Sequence, residues 1–312
     1  MGMYFHTNEF VLLQGDSVEQ MKHITQKVDV VFADPPYFLS QGVSRCINGV
    51  WKSFEKGEWD RATNLENINA FNRQWLSACR DVMKDNGTIW VCGTYHNIFS
   101  VATCMSELGF KILNIITWQK SDAKPTLSKN FFNFTTEYII WARKSASKPH
   151  FFNCDLMAQL NGGARMTDVW RIPFVSSWEM KCGQHPTQKP LRLLYRILLA
   201  STKEGETILD PFAGSCTTGI AANLLGRRFI GIDQSKDFLD LGIRRKQEIS
   251  DEKTAKKMLK RMSENPEEVM VMENHARKEL KELMINKGIC YLRAGDSKGS
   301  LLVTPGFERM GY

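Results

Sequence analysis

Asp34, Pro35, Pro36 and Tyr37 are the residues whose types and order most clearly suggest chemistry. They close a run of apolar β-formers, residues 28–32, that reads as a buried strand. Neither proline can donate a ladder hydrogen bond, and each steers the residue before it out of the helical region. The strand must therefore stop in a stiff, non-helical elbow. In an open α/β sheet, ligands bind at the carboxyl ends of the strands. There the elbow offers a carboxylate, backbone carbonyls that no proline N–H can claim, and an aromatic face. Those groups suit a planar ring bearing an amino group: two acceptors for the NH2 and a surface on which the ring stacks. The tetrapeptide alone also reads as a proline turn with Tyr37 as ordinary core.

A second constellation lies far along the chain. A short strand at 207–210 runs into Asp210-Pro211-Phe212-Ala213-Gly214-Ser215-Cys216-Thr217-Thr218-Gly219 and a helix, and the next strand ends in Asp233. Strand, glycine turn, helix, strand and acid form the half-fold that binds an adenosine-bearing cofactor. The glycine lets the backbone approach, the helix N–H groups face the ligand, and the acid takes the ribose hydroxyls. The spacing Gly-x-Gly-x-x-Gly is absent, and Pro211 and Phe212 leave less provision for a pyrophosphate, which points away from NAD. Asp16 also follows a strand, at 10–14, and reads equally well as a helix N-cap.

Those groups need a frame. Alternation and turn residues predict strands at 10–14, 28–32, 88–92, 111–118, 138–142, 207–210 and 228–233, with helices at 18–23, 65–83, 98–108, 190–199 and after 233. The class is α/β. Residues 119–137 are too few for a crossover helix, so 111–118 and 138–142 should pair as an antiparallel hairpin. Residues 38–62 lack periodicity and form a loop long enough to suggest a substrate-contacting role. Residues 144–183 read as an irregular recognition segment.

The 312 residues are 43% hydrophobic with a net charge of +7. Residues 120–199 hold 12 Lys/Arg against 5 Asp/Glu, so that one stretch matches the whole surplus. Phe131, Phe132, Phe134, Phe151, Phe152, Trp170 and Trp178 are mixed into it, with Trp118 just before it. Basic groups among aromatics and amides suit nucleic acid, although a solvated basic face has the same composition. Eight cysteines are scattered without zinc-ligand spacing, so neither a metal nor a disulfide framework is expected. No apolar run is long enough to span a membrane, and no signal peptide is recognisable, so a cytoplasmic location is expected.

With both constellations in view the chain resembles the β class of DNA amino-methyltransferases of restriction-modification systems. The resembling stretches are Gly15-Asp16, Phe32-Ala-Asp-Pro-Pro-Tyr37, Ile115-Ile-Thr-Trp-Gln-Lys120, Glu137-Tyr-Ile-Ile-Trp-Ala-Arg143, His185-Pro-Thr-Gln-Lys-Pro190, Ile208-Leu-Asp-Pro-Phe-Ala-Gly214 and Phe229-Ile-Gly-Ile-Asp233. The resemblance implies a permuted, Rossmann-like seven-stranded methyltransferase sheet with one antiparallel strand over residues 1–250, binding S-adenosylmethionine. Residues 144–184 would be the target-recognition segment, and 251–312 a mostly helical C-terminal extension of unassigned role. Asp34, Pro35, Pro36 and Tyr37 would be catalytic, with Tyr37 stacking through its ring and not needing its hydroxyl. Asp16, Asp34, Thr187, Lys189, Asp210, Phe212, Ala213, Gly214, Ser215, Thr217 and Asp233 would line the cofactor site. Within that set Asp16 would meet the adenine, Asp233 the ribose, and Thr187 and Lys189 the methionine end. Cys216 stands where the family commonly has glycine. The resemblance further implies DNA as substrate, and a cognate restriction endonuclease and a homodimer as partners. An aspartate-led elbow goes with N6 of adenine in this family and a serine-led one with N4 of cytosine, so adenine is expected and cytosine is the alternative. A non-catalytic DNA-binding protein on the same fold is the third reading, and the intact elbow and cofactor loop argue against it.

Overall fold

A computed structural model describes residues 2–38, 44–47, 50–53, 64–121 and 130–264. The chain runs β1 (Met3–His6), β2 (Phe10–Gln14), α1 (Ser17–Met21), β3 (Val28–Ala33), then a small antiparallel pair, β4 (Ser44–Ile47) and β5 (Val50–Ser53). Next come α2 (Leu65–Val82), β6 (Met83–Gly93), α3 (Ile98–Glu107), β7 (Lys111–Gln119) and β8 (Thr136–Arg143). The remainder is α4 (Cys154–Leu160), β9 (Val169–Arg171), α5 (Leu191–Ser201), β10 (Thr207–Asp210), α6 (Thr217–Leu224), β11 (Arg228–Asp233), α7 (Lys236–Glu248) and α8 (Glu252–Ser263).

Nine strands make one sheet in the order β1-β2-β11-β10-β3-β6-β8-β7-β9. Its centre, β2-β11-β10-β3-β6, is parallel, and β8 lies antiparallel between β6 and β7 as the short 119–137 connection requires. The expected seven strands with one antiparallel member are therefore present. Two edge strands were not expected: β1 is antiparallel to β2, and β9 is parallel to β7.

Strand alternation divides the core. On β2 and β3, Phe10, Leu12, Val30 and Phe32 face α5, α6 and α8, whereas Leu13, Val31 and Ala33 face α2 and α3. Trp90 on β6 stacks on Trp141 of β8 at 4.7 Å, and its ring nitrogen donates to Ser201 Oγ at 3.1 Å. Trp118 and Trp170, grouped by sequence with the nucleic-acid aromatics, belong to this core, while Phe131, Phe132, Phe134 and Phe152 are exposed.

Residues 84–87, which fall between the expected helix and strand, belong to β6. Met83 pairs with Val28, the ladder shifts register, and Lys84, Asp85 and Asn86 point to solvent before pairing resumes. The irregular segment also contains the short helix α4. Past residue 250, α8 packs on α5: Arg192 Nε donates to the Arg261 carbonyl, and Met258 and Met262 enter the core. The compact unit thus runs to Glu264. Residues 265–312, the greater part of the expected helical extension, and most of the 38–62 loop lie outside the described residues. No described helix is long and apolar enough to cross a membrane.

Candidate active site

Register places the acids. Gln14 pairs with Asp233, Gly231 with Asp210, and Leu209 with Val31, so β2, β11, β10 and β3 end together. Asp16, Asp233, Asp210 and Asp34 therefore gather at one sheet edge although they span more than two hundred positions of sequence.

A cavity of about 350 Å³ opens at this edge. Its wall includes Asp16, Asp34, Pro35, Pro36, Tyr37, Thr187, Lys189, Phe212, Gly214 and Asp233, ten of the residues singled out by sequence. Asp210, Ala213, Ser215 and Thr217 are not on it. Ser215 and Thr217 face inward, where the buried Arg245 guanidinium donates to the Ser215 carbonyl at 2.6 Å and to Thr217 Oγ1 at 2.8 Å. Arg245 thus braces the glycine loop from behind.

Asp210 is also buried. It accepts from the Phe212 N–H at 3.0 Å and from Thr218 Oγ1 at 2.6 Å, and burial pushes its carboxyl up to about 7. The unfolded chain releases that proton near pH 4. The native state therefore holds the proton more tightly, and the resulting stability is complete below about pH 4 and lost as pH rises through about 7. Asp210→Asn is expected to flatten this part of the stability–pH curve in urea melts, with cofactor affinity changed less than about twofold. An unchanged slope would mean that Asp210 does not carry the raised carboxyl.

At one end of the cavity Asp233 Oδ2 accepts from the Gly214 N–H and Oδ1 from the Ser235 N–H, each at 2.8 Å. Burial raises the Asp233 carboxyl above the usual range. Asp16 both caps α1, accepting from the Val18 and Glu19 N–H groups, and forms part of the wall. Gly214 has φ +49°, and a Cβ there would stand 3.0 Å from His185 Nε2. The His185 ring packs edge-on against Phe238 at 4.2 Å, and both line the cavity with Phe71.

Cys216 sits at the N-cap of α6 in the left-handed region, φ 56°, where the family's glycine would be relaxed. Its thiol does not narrow the cavity. It points at α7, where a Cβ on Gly242 would overlap Sγ. Two predictions follow from that fit. Gly242→Ala should cost about 1–3 kcal/mol by overpacking, and most of it should return when combined with Cys216→Gly. Additive losses in a double-mutant cycle of denaturant melts would refute the contact.

The elbow end is a buried charge network. Lys189 Nζ is 2.5 Å from Asp34 Oδ2 and 3.8 Å from Glu137 Oε2, and Lys120 Nζ is 2.5 Å from Glu137 Oε1. The Tyr37 hydroxyl is 2.7 Å from Asp34 Oδ1 and 3.1 Å from Glu137 Oε2. The hydroxyl is thus engaged by two carboxylates, contacts that the reading of Tyr37 as a stacking ring did not include. Burial pushes the phenol well above its ordinary range, and both carboxylates add to that. Burial would also raise Glu137, but Lys189 and Lys120 outweigh it and hold that carboxyl below the usual range. Asn97 Nδ2 donates to the Pro36 carbonyl at 3.4 Å. Among the described residues nothing is bonded to the Pro35 carbonyl.

Sequence reasoning gave no role to Glu137, Lys120, His185, Phe71 or Phe238. The available signal for Glu137 was an acid opening an otherwise apolar strand.

The DNA methylase family profile matches residues 28–244. The chain is 50% identical over 250 residues to Type II methyltransferase M2.MboI of Moraxella bovis, covering 79% of this chain and 92% of that protein. It is 47% identical over 244 residues to M2.DpnII of Streptococcus pneumoniae, covering 78% and 91%. Among solved structures, the M1.HpyAVI–SAM complex superposes with TM-score 0.59 at 25% identity, over 76% of this chain and 98% of that one. The cytosine-N4-specific PvuII DNA methyltransferase shares the fold with TM-score 0.63 at 16% identity, over 83% and 94%. Half of the positions identical along nine-tenths of a Type II methyltransferase, and a profile match running from the elbow strand to α7, make this chain a member of the DNA methylase family.

Proposed function

We propose that the protein transfers a methyl group from S-adenosylmethionine to N6 of adenine in DNA. The observation that carries this reading is the Asp34 carboxylate set on the wall of the same cavity whose other end holds Asp16 and Asp233. The cavity suits the cofactor on three counts. Its volume falls within the range of ligand sites, about 300–1,000 Å³. Its acids outnumber its single lysine, which favours a cation. Its rings, Phe71, Phe212, His185 and Phe238, offer faces to a purine.

When bound, the cofactor supplies a methyl group made electrophilic by a positively charged sulfur. Asp233 would hold the ribose, Asp16 the adenine amino group, Phe212 and Gly214 the nucleoside, and Thr187 the amino-acid end; Lys189, also expected at that end, has its ammonium on Asp34. The exocyclic amine of adenine is a weak nucleophile because its lone pair is shared with the ring. Asp34 and the Pro35 carbonyl would accept its two N–H bonds and favour a nitrogen whose lone pair points out of the ring plane. This is positioning and electrostatic stabilisation without a covalent enzyme intermediate. The base must leave the duplex to reach the elbow, where the Tyr37 ring offers a stacking face. Asp34 at the head of the elbow supports adenine over cytosine. Incubating the protein with methyl-labelled cofactor and DNA, then separating the nucleosides, tests the assignment. Label in 6-methyladenine is expected, and label only in 4-methylcytosine would overturn the base assignment.

The exposed basic residues Lys148, Arg165, Arg171 and Lys181 are assigned to the DNA backbone. Lys144 is not among them, because its ammonium binds the Met83 carbonyl and Asp85. Lys124 and Lys129 lie outside the described residues. Arg165→Ala/Arg171→Ala is expected to flatten the log–log salt dependence of DNA binding by about two units, since each duplex phosphate contact contributes a slope near −0.9. All sequences should weaken alike. An unaltered slope with intact affinity would place the DNA elsewhere. Beyond DNA, the proposed partners are a restriction endonuclease of the same system, tested by co-purification, and a second copy of the chain, tested by light scattering.

A further inference from the structure

We infer that Tyr37, Glu137 and Lys120 form the exit route for the proton that the target amine gives up. The inference rests on the amino-methyltransferase reading above. An amine has two N–H bonds before transfer and the neutral product has one, so each turnover must discharge a proton. Asp34 is the acceptor at the nitrogen, but one of its oxygens is already held by Lys189 and a base seated on the elbow would cover it from the cavity. The other oxygen, Oδ1, leads inward to the Tyr37 hydroxyl at 2.7 Å. That hydroxyl leads to Glu137 Oε2 at 3.1 Å, and Glu137 Oε1 to Lys120 Nζ at 2.5 Å.

The steps balance. The N–H electron pair returns to nitrogen as the proton passes to Asp34 Oδ1, which turns that carboxylate into a donor. The Tyr37 oxygen accepts there and gives its own proton to Glu137. The Glu137 carboxyl then turns to bring its Oε2 proton to Lys120, which takes it up as the ammonium releases one of its three to solvent. All four groups end in the state in which they began. Glu137 is suited to pass the proton on and not to keep it, because two ammonium groups favour its ionised form. The sheet itself has no use for an acid here, since Ile139 to Ala142, which follow on β8, are apolar and buried. Glu137 and Lys120 act through Tyr37 and Asp34 and are positioning residues.

The test uses the full chain with Tyr37→Phe and Glu137→Gln. Tyr37→Phe keeps the ring and its packing, so it reports on the relay even if Glu137→Gln destabilises the fold. Single-turnover methyl transfer would be followed in H2O and D2O from pH 6 to 9, with and without formate or imidazole. Both variants should bind cofactor and DNA within about twofold of the parent. Their rates should fall about 100-fold, the lower end of proton-transfer catalysis. The slowed step should show a solvent deuterium effect larger than the parent's and be partly rescued by the small base. Full activity in Tyr37→Phe overturns the relay. So does a loss with no isotope effect and no rescue, which marks a purely structural contact. A readout independent of turnover is the ring-carbon NMR titration of Tyr37 in the unliganded protein. Glu137→Gln should lower the phenol's midpoint, and an unmoved midpoint also overturns the proposal. If the parent itself labels no DNA, the methyltransferase reading falls first and the relay with it.

Discussion

Asp34→Ala is expected to reduce single-turnover methyl transfer by about 10²–10³-fold, the scale seen when one preorganised electrostatic partner of a reacting group is removed. The carboxylate is the only charged acceptor that the elbow offers to the amine, and it faces the cavity while Lys189 and Tyr37 hold both of its oxygens in place. Without it, Lys189 can turn to Glu137, already 3.8 Å away, so the chain should stay folded. Cofactor affinity should change little, because Asp16 and Asp233 at the other end are untouched. Asp34→Asn gives a finer test. It keeps one carbonyl acceptor but loses the charge and presents an NH2 to Lys189, and should fall between alanine and parent. Turnover near the parental rate in Asp34→Ala, in protein shown by melting to be folded, would remove the carboxylate from the mechanism.

What the sequence made legible and what it hid follow from how each residue reaches the cavity. Asp16, Asp34, Gly214 and Asp233 each lie at or just beyond the end of a parallel strand, and strand ends are visible as apolar runs stopped by an acid, glycine or proline. Once the strands are parallel and adjacent, their ends must meet, so naming the ends came close to naming the site. Glu137, a hundred positions from Tyr37, lies on β8, and Lys120 directly follows β7, its antiparallel partner. Their approach depends on β8 lying beside β6, which no local pattern specifies. Asp210 also ends a parallel strand, yet α6 supplies Thr218 and closes over it, so the same signal marks a buried carboxyl off the cavity wall. Composition was the weakest guide. Trp118 and Trp170 looked like base-stacking candidates, but the Trp118 ring nitrogen donates to the Ile172 carbonyl at 2.8 Å inside the core. The edge strands β1 and β9 have four and three residues, too few for alternation to stand out.

Lys189→Met is expected to have the largest effect on stability, about 3–5 kcal/mol at neutral pH, the usual result of removing one partner from a buried ion pair. Burial works against the charge on Lys189, but Asp34 and Glu137 outweigh it and keep the ammonium above the ordinary lysine range. Methionine fills similar space without charge. It leaves Asp34 and Glu137 on either side of the Tyr37 hydroxyl with Lys120 on Glu137 alone. The two proteins should then respond to acid in opposite ways. In the parent, the Glu137 carboxyl lies below its unfolded value, so its contribution is present above about pH 4.5 and lost as pH falls through the folded midpoint. In the variant, the two carboxylates repel and one midpoint should rise above its unfolded value. A raised carboxyl stabilises at low pH and that contribution disappears as pH increases through the midpoint. The difference in stability between parent and variant should therefore shrink between about pH 7 and pH 5. Methyl transfer should fall too, and the loss should deepen as pH falls and the unneutralised carboxylate pair takes up a proton. Urea melts at half-unit pH intervals give the first curve and single-turnover rates the second. A constant stability gap across that window would show that Lys189 does not neutralise the carboxylate pair, and the account of the elbow as a charge-balanced acceptor would have to be given up.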